Sequence, residues 1–330
     1  MSEGVRTLAE WGQFFDPDKK SIGDIVELLA QTNEIMDDIL WREGNEMAGH
    51  TSTIRTDLPE VSLRALYEGV SKTKSGIAKV TDPTAMIEAR GEIDIDLLSL
   101  NGNSAAYRMQ ENRAFIESMT QKVAELVFYG NNTLNKKEFH GLSPRYPFKD
   151  SPNVVDAAGS GSFCASIWAI VHGEDAVCGI FPKGSTAGLE DKDLGEYDAY
   201  DVSGDPYRVV GDQYKWKPGL TVKDWRCVSR VCNIDLTKLT LSPGDSGYID
   251  LRKPTIQAKN KIPAVKRKRM VWYVPSAIMT MLEVQAGDPS NVHLRYGEYL
   301  NSKDVLFMHG HPVRQCDALL ETETALTAAP

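Results

Sequence analysis

Ser246 lies in residues 244–247 (GDSG), a pattern typical of a nucleophilic serine in a hydrolase. That chemistry requires a histidine base held by a buried aspartate. None of the six histidines lies in a sequence context that supplies such a base. The pattern therefore favours Ser246 as the N-cap of a helix, which we predict over residues 246–259.

Two further segments contain residues that bind phosphate or metal in other proteins. Residues 181–188 (FPKGSTAG) lack the spacing of a phosphate loop, which needs glycine, four residues and then Gly-Lys-Ser/Thr, so they predict a turn. His309 and His311 offer two imidazoles, but no third or fourth metal ligand lies at a useful spacing, and a turn at a strand end is expected.

Asp94 and Asp96 are two residues apart, so on a strand they share one face. A carboxylate dyad needs burial to separate its pKa values, and this segment favours a solvated or interface edge instead. The sequence thus predicts no catalytic residue, no metal site and no cofactor, which favours a structural role over enzymatic activity.

The chain has 330 residues, a net charge of −9, 42% hydrophobic and 25% charged residues. This length is enough for two or three domains. The acidic balance argues against wrapping nucleic acid with the whole surface, because DNA binding depends on neutralising phosphates. One basic run interrupts it, formed by Lys266, Arg267, Lys268 and Arg269. This run is either a solvated surface or a nucleic-acid contact.

No apolar run approaches the roughly 20 residues that span a bilayer, so no membrane partner is expected. The N-terminus shows no secretory signal. Five scattered cysteines predict free buried thiols in a reducing cytosol. The small-residue tail, residues 324–330, is expected to fray.

Two helices are predicted before residue 150. Apolar residues recur at three- and four-residue spacing from Ile22 to Ile39, which predicts an amphipathic helix ending near Gly44. The second helix begins at Asn103 and Ser104 and ends at Gly130. Its predicted apolar stripe is Ala105, Met109, Asn112, Ile116, Met119, Val123 and Leu126. Its opposite face carries charged and polar residues, including Arg108.

Between these helices the sequence predicts a long two-stranded extension. Residues 51–56 and 86–95 read as its strands, and residues 71–76 as a polar tip. Such an extension is only marginally stable alone, so it needs a partner surface. The candidate intersubunit contacts are Lys72, Lys74, Arg55, Glu88 and Arg90.

The remainder, from about residue 150, reads as mixed α and β structure. A helix is expected near residues 275–284. Strands are expected at residues 167–171, 176–181, 207–210, 220–232, 305–308 and 313–320.

The order of these elements resembles the Johnson fold, the Hong Kong phage type of capsid subunit shared by tailed phages and the herpesvirus shell floor. The sequence is also similar to the short-tailed-phage major capsid family that includes the epsilon fifteen and Bordetella phage proteins. The matching segments are residues 31–35 (QTNEI), 41–45 (WREGN), 49–51 (GHT), 55–56 (RT), 58–59 (LP), 100–103 (LNGN), 128–131 (FYGN), 141–146 (GLSPRY), 179–184 (GIFPKG), 193–196 (DLGE), 225–226 (WR), 233–235 (NID) and 314–320 (RQCDALL).

The resemblance implies an α+β fold with four parts. Residues 1–49 form an N-arm with its amphipathic helix, and 50–97 an extended β-hairpin E-loop. Residues 98–150 form a P-domain with the long spine helix, joined by the C-terminal strands at about 303–330. Residues 151–302 form mainly a mixed α/β A-domain.

The resemblance also implies self-assembly into pentamers and hexamers of an icosahedral head that encloses double-stranded DNA without sequence-specific contact. Its other implied partners are a separate scaffolding protein, a portal and a decoration protein, with assembly in the host cytoplasm. The alternative within this fold is an encapsulin-like nanocompartment shell, and the alternative from another class is a hydrolase that uses Ser246.

Overall fold

The computed structural model describes residues 31–99, 104–185, 188–239, 249–286, 294–299 and 302–329. Its helices are α1 (Ile35–Asp38), α2 (Ile95–Ser99), α3 (Ser104–Tyr129), α4 (Arg252–Lys261) and α5 (Ser276–Ala286). Its strands are β1 (Trp41–Glu43), β2 (Gly49–Asp57), β3 (Gly76–Pro83), β4 (Ile87–Asp94), β5 (Val154–Asp156), β6 (Cys164–Val171), β7 (Val177–Phe181), β8 (Leu189–Tyr200), β9 (Pro206–Trp216), β10 (Gly219–Val222), β11 (Val228–Asp235), β12 (Met270–Val274), β13 (Leu294–Tyr299), β14 (Ser302–Met308) and β15 (His311–Gln315).

These elements divide into two compact units. The first contains Met86–Val123 and Gly188–Trp216, and the second contains Thr32–Ala85, Ala124–Ala187 and Lys217–Pro330, as far as these ranges are described. Helix α3 belongs to the first unit up to Val123 and to the second unit from Ala124 onward.

The first unit contains an antiparallel sheet with the strand order β4-β9-β8. Strand β4 pairs with β9 from Ile87 opposite Trp216 to Asp94 opposite Val209. The prediction that residues 86–95 pair with residues 51–56 is therefore wrong. The sheet offers β4 a buried face, where Ile93 packs against Tyr107 of α3, whereas an isolated hairpin has no such core.

The face of α3 that packs on this sheet, over the first half of the helix, is not the apolar stripe that the sequence predicted to be buried. Phe115 stacks on Tyr214 of β9, with ring centroids 5.5 Å apart. Arg108, predicted for the solvated face, pairs with the buried carboxylate of Asp212. Met109 and Ile116 of the predicted stripe are instead exposed. An aromatic contact and the ion pair of Arg108 with buried Asp212 therefore decided which face of the helix is covered.

The second unit contains a seven-stranded sheet with the order β13-β14-β15-β12-β6-β11-β5. Every residue of β6 and β11 is buried, which is typical of strands covered on both faces. The predicted strand 220–232 is interrupted, because the Asp224 carboxylate accepts the Arg226 N–H and caps a 3-10 helix at Trp225–Cys227. The last predicted strand, residues 313–320, ends at Gln315.

Helix α3 itself is confirmed, and it ends at the predicted Gly130. In the second unit its last turn places Phe128 against Trp168 and Tyr273, with ring centroids 6.1 and 6.4 Å apart. Gly130 is required by close approach and not by a left-handed conformation, since a Cβ there would meet the carbonyl oxygens of Leu126 and Phe139.

The predicted N-terminal helix begins outside the described residues. From residue 31 onward the structure forms only the short α1, and Trp41–Glu43 pairs in parallel with β7 as strand β1. The prediction of a helix reaching Gly44 is therefore wrong. The edge of β7 has free backbone groups, and residues 41–43 form hydrogen bonds with it as a strand. Strand β7 also pairs with β10, which gives a three-stranded sheet.

The predicted helix near residues 275–284 is confirmed as α5. The helix predicted over 246–259 begins at Arg252 within the described residues, and Ser246 lies outside them. All five cysteines are buried and unpaired.

The C-terminal tail does not fray in its described part. The Ala325 N–H donates to the Gly161 carbonyl over 2.9 Å, and the Lys149 N–H donates to the Thr327 carbonyl over 3.1 Å. The Leu326 N–H donates to Asn233 Oδ1 over 2.7 Å. Hydrogen bonds between the backbone of the tail and three separate segments thus hold it, although it offers few large side chains.

Candidate assembly surface

A two-stranded antiparallel hairpin, β2–β3, forms a sheet of its own in the second unit. Its register runs from Gly49 opposite Pro83 to Asp57 opposite Gly76. The Thr51 and Thr81 hydroxyls face each other across the strands, 2.7 Å apart. Residues 58–75 connect the two strands and contain no helix or strand.

The base of this hairpin is fixed by the buried carboxylate of Asp82. Arg145 donates from Nη2 to Asp82 Oδ1 over 2.7 Å, and the Thr221 hydroxyl donates to Oδ2 over 2.7 Å. Arg145 also donates to the carbonyls of Gly141 and His140. A carboxylate that is buried but fully paired can position the hairpin without leaving an uncompensated charge.

The connecting loop, residues 58–75, presents large apolar side chains to solvent. Leu63 and Tyr67 are completely exposed, and the full set is Leu58, Val61, Leu63, Leu66, Tyr67 and Val70. A concentration of exposed large apolar side chains in one loop is typical of an interaction site. The sequence signal for this surface is the density of apolar residues within 58–70. Four of them, Leu63, Leu66, Tyr67 and Val70, keep the spacing of a helix that the loop does not form.

The structure separates the five predicted contact residues into two groups. Lys72 and Lys74 lie in the loop and Arg55 lies on β2, all three exposed. Lys72 and Lys74 form no ion pair with any residue within the described ranges. Glu88 and Arg90 lie instead on β4, in the other compact unit.

Glu88 has its partners within its own sheet. Gln213 donates to its carboxylate over 2.6 Å and Arg90 over 3.1 Å, while Lys215 lies 3.6 Å away. The hydrogen bonds from Gln213 and Arg90 hold the pKa of Glu88 below its usual value. Glu88 and Arg90 therefore pair with each other across one strand face.

The predicted basic run lies in a 3-10 helix at Ala264–Arg269. Its four residues differ in their hydrogen-bond partners and in their exposure to solvent. Lys266 donates to Asp224 over 2.6 Å, which raises the pKa of the lysine. Arg267 donates to the Ile262 carbonyl over 2.8 Å. Lys268 and Arg269 are the two members of the run that are exposed at the surface.

The remaining sequence candidates have structural partners. His309 lies in the turn between β14 and β15, and its Nε2 is 3.0 Å from the Thr255 hydroxyl. Asp94 ends β4 and accepts the N–H of Asp96 in α2, so the two aspartates do not share a strand face. Lys183 and Ser185 lie in a turn, as predicted.

Within the residues that the structure describes, no group of three or more His, Cys, Asp or Glu side chains could hold a metal ion. In the same ranges, no helix is long and apolar enough to cross a membrane.

A model of the family described as Major capsid protein GP7 matches residues 16–327. The solved structure of bacteriophage Epsilon15 is similar over 99% of this chain and 99% of its own, with 30% identity and a TM-score of 0.75. The bacteriophage JBD30 capsid is similar over 88% and 93%, with 11% identity and a TM-score of 0.52, a likeness of fold alone. No curated protein matches the chain.

The SrpI encapsulin of Synechococcus elongatus PCC 7942 is more distant, with 9% identity and a TM-score of 0.44, too low to bear on function. The Epsilon15 and JBD30 likenesses confirm the predicted α+β capsid fold of the Hong Kong phage type. The family match covers almost the whole sequence. A capsid subunit packs against copies of itself, and the exposed apolar loop at residues 58–75 is consistent with such a subunit. The chain belongs to the family of GP7 major capsid proteins.

Proposed function

We propose that this major capsid protein assembles into the pentamers and hexamers of an icosahedral phage head that encloses double-stranded DNA, and that it catalyses no reaction. A separate scaffolding protein directs assembly in the host cytoplasm, and a portal and a decoration protein complete the head. Contact with the packaged DNA is independent of its sequence. The family match and the Epsilon15 likeness support assembly into a shell. The resemblance to the phage capsid family supports the scaffolding protein, the portal, the decoration protein and the DNA as partners.

The same resemblance assigns each part of the chain to a region of the capsid subunit. Residues 1–49 serve as the N-arm, 50–97 as the E-loop, 98–150 with about 303–330 as the P-domain, and 151–302 mainly as the A-domain. Lys72, Lys74 and Arg55 contact a neighbouring subunit from the hairpin, and Glu88 and Arg90 do so from β4.

The observation that carries this proposal is the exposed apolar loop at residues 58–75. Burying one leucine-sized side chain is worth about 1.5–3 kcal/mol. A hairpin anchored at Asp82 and tipped by such side chains gains this energy only when a second surface covers the tip. In a closed shell every subunit supplies both a tip and a covering surface, so the gain is repeated at every boundary.

The test is the double substitution Leu63→Ser with Leu66→Ser. Both side chains are exposed, so we expect a folded subunit with unchanged circular dichroism and no closed shells by electron microscopy or sedimentation. Leu134→Ser is the matched control, because Leu134 is also exposed but lies outside the loop. Normal shells from the double variant would contradict the docking role of the loop.

The contents of the particles distinguish a phage head from a nanocompartment. Shells purified from infected cells should contain double-stranded DNA that resists nuclease until the shell is opened. Enzyme cargo in place of DNA would favour the encapsulin-like alternative.

A further inference from the structure

Positive charge is concentrated in one segment of this acidic protein. Residues 252–269 contain eight lysine and arginine residues and no carboxylate, although the whole chain carries a net charge of −9. Arg252 is paired with Asp250, and Lys266 with Asp224. The other cations of this segment form no ion pair with a carboxylate in the part of the chain that the structure describes.

We call four of these cations together with His311 the basic cluster: Lys259, Arg267, Lys268, Arg269 and His311. Burial lowers the pKa of His311, and the charges of Lys259 and Arg267 lower it further. Lys268, Arg269 and His311 also line one cavity of about 560 Å³.

The same cavity has carboxylates on its lining. Asp37 and Asp38 are paired with Arg314. Glu298 also lines the cavity and forms no ion pair with Lys268 or Arg269 among the described contacts. The cations at this surface therefore remain available to an external anion.

Negative charge is concentrated at the β8–β9 hairpin. Residues 190–205 contain seven carboxylates and one lysine. Within the described structure Asp201 and Asp205 form no ion pair, and Asp198 lies 3.8 Å from Arg208. The connecting turn is exposed throughout, and it also exposes the apolar side chains of Tyr200 and Val202. We call residues 198–205 the acidic turn.

We propose that the acidic turn of one subunit docks on the basic cluster of a neighbouring copy in the shell. This inference rests on self-assembly, because each copy then supplies one turn and receives one turn in a heterologous contact. Complementary charges fix register between partners. The carboxylates of the acidic turn repel a phosphate backbone, and the exposed Tyr200 and Val202 beside them suit a protein partner that offers apolar surface.

The experiment exchanges the charges of the two surfaces within one chain. The first variant is Lys268→Glu with Arg269→Glu, and the second is Asp198→Lys with Asp205→Lys. Asp201 is left unchanged because its carboxylate accepts the N–H groups of Ser203 and Asp205 and holds the turn. The third variant combines all four substitutions, so that both surfaces reverse their sign.

Assembly is followed by sedimentation against subunit concentration at low salt, with circular dichroism to confirm folding. We expect each double variant to need about tenfold more subunit to form shells, and the combined variant to return to within about threefold of the parent. The matched control is Lys136→Glu with Lys137→Glu, two exposed lysines outside the basic cluster, which should leave assembly unchanged.

Three results would overturn the proposal. Double variants that assemble like the parent would exclude the contact, and so would a folded combined variant that fails to recover. Lys268→Glu with Arg269→Glu shells that form normally but retain less DNA would assign the basic cluster to phosphate. A parent that forms no shells under any condition would instead contradict the proposed function itself.

Discussion

Arg230 and Glu323 lie 93 residues apart in the sequence and form a buried ion pair, in which the Arg230 Nη2 donates to Glu323 Oε2 over 2.9 Å. The Arg230 guanidinium also lies over the Trp168 ring, 4.8 Å from its centroid. The Tyr129 hydroxyl donates to the other carboxylate oxygen over 2.6 Å, and burial followed by the Glu323 charge raises the tyrosine pKa. One carboxylate, directly before the C-terminal tail, thus joins this end of the chain to the end of α3 and to strand β11.

Removing this carboxylate should destabilise the subunit strongly. Glu323→Ala leaves the Arg230 charge buried and unpaired, at a cost of about 3–5 kcal/mol. Urea unfolding of the unassembled subunit measures this loss. Glu196→Ala, at an exposed position on β8, should change the free energy of unfolding by less than about 0.5 kcal/mol. Equal unfolding midpoints for the two variants would contradict the structural importance of the pair.

A proline in the buried part of α3 should also destabilise the subunit. Met119 is buried, and Met119→Pro removes a helix hydrogen bond and clashes with the preceding turn, at a cost of about 3 kcal/mol or more. Met109→Ala on the exposed face of the same helix is the control, with a change below about 0.5 kcal/mol. Thermal unfolding compares them, and a Met119→Pro subunit as stable as the parent would be inconsistent with this helix.

Charge reversal at the loop should affect assembly more than folding. Lys72 and Lys74 are exposed, so Lys72→Glu with Lys74→Glu should leave circular dichroism unchanged and reduce the yield of closed shells. One exposed ion pair is worth only about 0–1 kcal/mol, but the contact repeats around the shell. Assembly of the parent should weaken as salt rises, because salt screens exposed charges. Normal yields of shells from the double variant would argue against a docking role for these lysines.

Acid should destabilise the subunit through His172. Its Nε2 lies 2.7 Å from the Tyr273 hydroxyl, and burial lowers its pKa to about 4, below the value of about 6.5 in the unfolded chain. The unfolded state therefore binds the proton first, so stability is lost as pH falls from about 6.5 to about 4, by roughly 3 kcal/mol.

The matched variant is His172→Gln, which keeps polarity but does not titrate. Unfolding free energies measured between pH 7 and pH 5 should fall more steeply for the parent than for this variant. Parallel pH profiles would show that His172 is not the group responsible.

Some features of this protein are determined by local sequence. Helix α3 has the boundaries that Asn103, Ser104 and Gly130 predict, because capping and helical spacing act over a few residues. The central strands β6 and β7 follow from short apolar runs. The ordered series of motifs along the chain was likewise enough to predict the family.

Other features required the tertiary structure. The sequence could not show that β4 pairs with β9 and not with β2, because strand pairing depends on which distant edges are free. Nor could it show that the Lys266 charge is neutralised by Asp224 while Lys268 remains exposed, since neighbours in the same run differ only in their nonlocal partners.

The loop at residues 58–75 shows most clearly the difference between what local sequence determines and what the tertiary structure decides. Its sequence specifies apolar residues, and only the fold decides that nothing within the described chain covers Leu63 and Leu66. Periodic patterns report which face of an element is apolar, because they depend on local geometry. Which surface covers that face depends on long-range packing, which local geometry does not specify.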